Sequence, residues 1–179
     1  MKRILGTAAL LTCIATGPAY AALTVGAKAP DFDLKAAKAG KEFDFSLNAA
    51  LKKGTVVLYF FPAAFTPGCT VEAHDFAEAT DKFAALGATV IGVTSGNPER
   101  VTEFSSVECR NKFAVAADPD QRVVKAYDAV LKQKPEYSDR TSYVISPDRT
   151  VLMVYTDLNP DKHVDMTMAA VQKWKAAHP

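Results

Sequence analysis

The sequence predicts an α/β domain, a mixed sheet flanked by helices, and three observations carry that expectation. The run Val56-Val57-Leu58-Tyr59-Phe60-Phe61, bounded by Gly54 and Pro62, is β-branched and aromatic throughout, as a strand buried on both faces should be. A second run, Thr89-Val90-Ile91-Gly92-Val93, follows a stretch of helical periodicity, and strand, helix and strand together make a βαβ unit with parallel pairing. Two further strands over 141–145 and 150–155, separated by Ser146-Pro147-Asp148-Arg149, read as an antiparallel hairpin.

In chain order, the first 22 residues combine a basic start at Lys2 and Arg3, an apolar middle and an Ala19-Tyr20-Ala21 ending. That is the three-part pattern of a secretory signal. The expectation is a signal over 1–21 that is cleaved, a single domain over 22–179, and an exported, periplasmic protein. A retained anchor is the alternative, disfavoured by Thr7, Thr12, Thr16, Gly17 and Pro18 within the apolar stretch. Residues 23–54 open irregularly around Pro30 and Phe32-Asp33-Leu34, then turn polar, with a short helix over 47–51. After the first buried strand, Phe76, Thr80, Phe83 and Leu86 share a helical face, with Gly87 as the stop. Asn97-Pro98 has the form of an N-cap followed by a first-turn proline, opening a helix to about 113. Asp118-Pro119-Asp120-Gln121 repeats that signal with Gln at the capping-box position, for a helix through Tyr127. Residues 130–139 read as a surface loop. The last helix aligns Val164, Met168, Val171 and Trp174 on a face expected to be core. No repeat or linker divides the chain, and the order of parts is that of a thioredoxin-like layer sandwich.

The 179 residues carry a formal charge of +1, which becomes −1 when Lys2 and Arg3 leave with the signal. Without a basic cluster, neither nucleic acid nor a membrane surface is an expected partner. A mature chain of about 158 residues suits one domain with a sizeable core. Of three cysteines Cys13 lies in the signal, where Thr12 is a poor residue to precede a lipid-modified cysteine, leaving Cys69 and Cys109. An oxidising compartment permits a disulfide between them. Two cysteines do not make a disulfide scaffold, and no C-x-x-C or Cys/His metal spacing occurs, so neither metal nor cofactor is expected.

Cys69 carries the chemistry. With Thr66 as N-cap, Pro67, Gly68 and Cys69 take the first three helical positions. There the helix dipole and unpaired N–H groups stabilise a thiolate. The bland alternative is a buried cysteine acting as a small apolar residue. A serine triad is not indicated, since His74, His163 and His178 lack a Gly-x-Ser-x-Gly partner.

Pro62-Ala63-Ala64-Phe65-Thr66-Pro67-Gly68-Cys69 resembles the peroxiredoxin motif P-x-x-x-T-x-x-C, and Thr70-Val71-Glu72-Ala73 is similar to the bacterioferritin comigratory protein or peroxiredoxin Q subclass. Ala29-Pro30-Asp31-Phe32, Ala117-Asp118-Pro119 and Arg140-Thr141-Ser142-Tyr143-Val144-Ile145 extend the similarity over nearly the whole mature chain. The resemblance implies a thioredoxin-like fold and a thiol-dependent peroxidase acting on hydrogen peroxide and organic hydroperoxides. It implies Cys69 as peroxidatic cysteine, Thr66 as the hydroxyl orienting peroxide, Pro62 as a shield of the pocket and Arg140 as the cation assisting the thiolate. A plain N-cap for Thr66 and a surface salt bridge for Arg140 are the ordinary alternatives.

Members of the subclass often carry a second cysteine five residues after the first, where this chain has His74. Two routes stay open for the oxidised sulfur: Cys109, as in members with the second cysteine on a later helix, or an external thiol. Val101, Phe104 and Val107 define the apolar face of the helix from Pro98, placing Cys109 with Ser105 on the opposite, reachable side. His74 reads as solvated, and Glu72 receives no role. The implied reductant is a thioredoxin-like protein, glutaredoxin or small thiol, and the implied state is a monomer. A thiol:disulfide oxidoreductase and a non-enzymatic binding protein of the same fold are the competing readings, the first weakened by the missing C-x-x-C.

Overall fold

Residues 23–179, those described in the computed structural model, open with an antiparallel hairpin of β1 (Asp33–Lys38) and β2 (Lys41–Ser46). The signal reading, its Ala21 cleavage point and Cys13 lie outside these residues. The hairpin corrects the expectation of irregular chain here. Ala39 and Gly40 form the two-residue turn, both with positive φ (52° and 72°), which suits the twist of a tight hairpin. The alternation of Phe43 and Phe45 with Glu42 and Asp44 is its strand signal.

The short helix falls where expected, α1 (Leu47–Leu51), with the Ser46 side chain accepting from the Ala49 N–H. β3 (Thr55–Phe60), α2 (Pro67–Ala85) and β4 (Ala88–Thr94) then build the βαβ unit, with β3 and β4 parallel. A 3-10 turn (Pro98–Arg100) leads into α3 (Val101–Val107), β5 (Ala114–Ala117) and α4 (Arg122–Ala126). The hairpin β6 (Thr141–Ile145) and β7 (Val151–Thr156) and the helix α5 (His163–Ala177) close the fold. One seven-stranded sheet results, in the order β2-β1-β5-β4-β3-β6-β7. Its centre is parallel, and β1 and β6 join it antiparallel.

The central strand β3 explains the layering. Val56, Leu58 and Phe60 enter one apolar cluster with Leu51 and Tyr127, while Val57, Tyr59 and Phe61 enter another with Phe76, Phe83 and Phe104. Side chains alternate across a strand, so a sheet covered on both faces needs an unbroken apolar run. Gly92 of β4 faces the Tyr59 ring, where a Cβ would lie 2.7 Å from Cζ. Only glycine lets the two strands hold that ring flat against the sheet.

Three boundaries differ from expectation. α3 stops at Val107, not near 113: the N–H groups of Glu108 and Cys109 both bond the Phe104 carbonyl, and Arg110 and Asn111 have positive φ (49° and 61°). Asn97 is no side-chain cap; its φ is 52° and its amide donates to the Ala64 carbonyl at 2.9 Å. Asp118 does cap α4, but from further back, its carboxylate accepting from the Val123 and Val124 N–H groups at 2.9 and 2.8 Å. Trp174 is half-buried and stacked on His178, while Val171 supplies the buried contact expected of that face.

Candidate active site

β3 delivers the chain to a tight turn, 61–66, in which Phe65 has φ 64°, and Thr66 then stands as N-cap in extended conformation. The Thr66 hydroxyl donates to the Ala63 carbonyl at 3.0 Å, and no side chain caps the helix. The first-turn N–H groups of α2, which have no intrahelical acceptor, are therefore directed at the space around Cys69, the third helical residue and 1% exposed. Pro62 is half-buried within the turn, and its carbonyl accepts from the Thr94 hydroxyl at 3.1 Å.

Arg140, immediately before β6, reaches this sulfur on the sheet face that α2 covers, the face to which Ser142 and Val144 also point. Its Nη2 lies 3.5 Å from Cys69 Sγ, its Nε donates to the Leu158 carbonyl at 2.8 Å, and its Nη1 donates to Glu72 Oε2. Three acceptors around one planar fork fix the guanidinium. Gly68 makes room for it, since a Cβ there would lie 3.1 Å from Nη2.

Glu72 is the residue that sequence reasoning missed. It is fully buried, one turn after Cys69 on the same helix face. A carboxylate on a face otherwise reading as core was its only signal. Behind it, His163 Nδ1 lies 3.7 Å from Glu72 Oε1 but is hydrogen-bonded to Ser142 Oγ at 2.8 Å, and its Nε2 meets the Asp157 carbonyl at 2.9 Å. Glu72 Oε1 has no hydrogen-bond partner among the described residues. Burial pushes the Glu72 carboxyl up to about 8, against the pull of Arg140, and burial also holds the His163 imidazole below its ordinary value.

The raised carboxyl has a measurable consequence. A folded pKa above the unfolded value of about 4.3 contributes stability fully present below about 4.3 and lost as pH rises through the folded value. Relative to Glu72→Gln, the wild type is therefore expected to lose about 2–4 kcal/mol of unfolding free energy between pH 4 and 9. Parallel pH profiles of the two proteins in urea would refute the assignment.

Cys109 departs most from expectation. It lies beyond the end of α3 and is 0% exposed, not on a reachable face, and burial pushes its thiol well above the ordinary value. Val101 and Phe104 of α3 are buried as expected, but Val107 is 54% exposed and Ser105 is buried, its side chain accepting from the Gly40 N–H at 3.1 Å. The unforeseen β1–β2 hairpin covers that side. Cys69 and Cys109 are both free thiols within the same apolar cluster as Tyr59. His74 is not simply solvated, because its Nε2 meets Glu108 Oε2 at 2.7 Å.

A cysteine in the uncapped first turn of the helix after a buried strand, on a mixed sheet with helices on both faces, defines a thiol-redox protein of the thioredoxin-like class. The chain belongs to the AhpC/TSA family, whose profile matches residues 25–154. It is 31% identical over 157 residues to the chloroplastic peroxiredoxin Q of Sedum lineare, covering 87% of this chain and 82% of that one. It is 30% identical over 149 residues to peroxiredoxin Bcp of Bacillus subtilis, covering 79% and 90%. Among solved structures, peroxidoxin BcpB from Mycobacterium tuberculosis superposes with a TM-score of 0.76 at 30% identity, covering 84% of this chain and 97% of that one. AhpC of the same organism has a TM-score of 0.76 at 17% identity, covering 88% and 96%, a likeness of fold.

Proposed function

We propose that this thiol-dependent peroxidase reduces hydrogen peroxide and organic hydroperoxides through Cys69 and completes its cycle with a Cys69–Cys109 disulfide. The observation that carries the reading is Arg140 Nη2 at 3.5 Å from Cys69 Sγ, at the uncapped start of α2. The Cys69 thiolate attacks one peroxide oxygen, the O–O bond breaks, and the other oxygen takes a proton and leaves as water or alcohol. The sulfur is oxidised by two electrons to a sulfenic acid. Charge that develops on the departing oxygen needs donors already in place. The first-turn N–H groups and Arg140 supply them, Thr66 orients the peroxide with its hydroxyl, and Pro62 shields the pocket from the strand side.

Cys109 then closes the cycle. In this cycle the buried Cys109 leaves its packing to bring its Cα within the span of about 7 Å that a disulfide to Cys69 allows. A thioredoxin-like protein, glutaredoxin or small thiol returns both sulfurs to thiols. The N-terminal pattern supports an exported, periplasmic protein acting as a monomer after loss of 1–21. One equivalent of peroxide followed by thiol blocking and mass spectrometry tests the cycle. The expected product links the Cys69 and Cys109 peptides; a persistent Cys69 sulfenic acid beside a free Cys109 would sink the intramolecular route.

A further inference from the structure

The segment after α3 crosses α2 in an ordered way. His74, Glu78 and Asp81 lie on one face of α2 at helical spacing. Opposite them, alternate residues of the segment pair in turn: Glu108 with His74 at 2.7 Å, Arg110 with Glu78 at 3.1 Å and Lys112 with Asp81 at 2.9 Å. Between the first two rungs Cys109 is buried at 0% exposure, and just past the last rung Phe113 is buried at 2%. The same five residues contain the two left-handed positions, Arg110 and Asn111, and their backbone is held back by the Cys109 N–H on the Phe104 carbonyl and the Lys112 N–H on the Cys109 carbonyl.

We propose that these three pairs are a strap that sets how often Cys109 leaves the core, and thereby the rate at which oxidised Cys69 is resolved. The proposal rests on Cys109 being the resolving thiol. His74, Glu78, Asp81, Glu108, Arg110 and Lys112 act in it as positioning residues. In the gated step the Cys109 sulfur bonds to the Cys69 sulfur, the S–O bond of the sulfenic acid breaks, and the departing hydroxide takes the Cys109 proton to leave as water. The sulfenic sulfur is reduced as the Cys109 sulfur is oxidised, so no further reagent is needed. The two outer pairs stand largely in solvent, with side chains 46–78% exposed. Pairs of that kind are individually weak and screened by salt, so the strap is a tunable restraint and not a lock.

The test is Glu78→Gln/Asp81→Asn, which neutralises the α2 side of the two outer rungs far from the Cys69 pocket. Rapid quenching after one equivalent of peroxide, with thiol blocking and mass spectrometry, separates sulfenic acid formation from disulfide formation. At low salt the variant is expected to form the disulfide about three to ten times faster than wild type, with sulfenic acid formation unchanged. Raising salt to about 1 M should bring wild type towards the variant. The charge-swapped pair Glu78→Arg/Arg110→Glu should keep the wild-type rate, which a merely structural role for position 78 would not require. Equal disulfide rates and equal salt responses in wild type and variant would overturn the strap while leaving Cys109 as the resolving thiol. Absence of a Cys69–Cys109 disulfide in the wild type would overturn that reading, and the strap with it.

Discussion

Peroxide consumption by Cys69→Ser is expected to fall to the uncatalysed rate while the protein keeps its fold. The substitution exchanges one sulfur for an oxygen at a site 1% exposed, and the serine hydroxyl can accept from Arg140 as the sulfur does. What disappears is the polarisable thiolate, the only form that attacks an O–O bond and then holds the oxygen as a sulfenic acid. A stopped-flow peroxide assay alongside near-ultraviolet dichroism reads both halves. Turnover comparable to wild type in this variant would move the oxidisable thiol to Cys109.

Arg140→Ala is expected to lower the second-order rate with peroxide by about 10²–10³-fold, the usual cost of losing a preorganised donor at a site of developing charge. Arg140→Lys is expected to recover little of it. A lysine ammonium can approach the sulfur, but it cannot at once occupy the three fixed directions towards Leu158, Glu72 and Cys69 that hold Nη2 in place. The fold survives Arg140→Ala near neutral pH because Glu72, pushed up to about 8 even with the cation beside it, is held there as the neutral acid. The same variant becomes increasingly unstable at higher pH, where the carboxyl is forced to ionise without a cation. A near-normal peroxide rate in Arg140→Ala would remove this residue from the site.

The parts of the fold legible in the sequence are those with one dominant physical cause. The apolar run of β3 has no other use than a doubly covered strand, and the Thr66-Pro67 start of α2 is dictated by backbone valence. The β1–β2 hairpin was less legible because Ala36 and Ala37 are small and the turn is Ala-Gly, so weak alternation had to speak alone. The hairpin in turn obscures the faces of α3: with Ser105 covered by the Gly40 turn, polarity along the helix does not report which side meets solvent. At the site, Cys69 was legible from local structure, whereas Arg140 was placed by resemblance. Glu72 and His163 were not placed at all. Their roles are set by strands and helices distant in sequence, the Glu72 carboxylate meeting Arg140 across 68 positions of chain.

The hairpin also bears on the movement that the proposed Cys69–Cys109 disulfide calls for. α3 packs on the sheet through Val101 and Phe104, while Ser105 is bonded to the Gly40 N–H and Thr102 to Glu42 of the hairpin, so the helix is gripped on two sides. Beyond its last residue the hairpin's hold ends, the ion pairs to α2 take over, and the backbone passes through two consecutive left-handed residues. On the proposed route to a Cys69–Cys109 disulfide, the chain gives up that single loop and keeps the helix, and the sheet beneath it, as ballast.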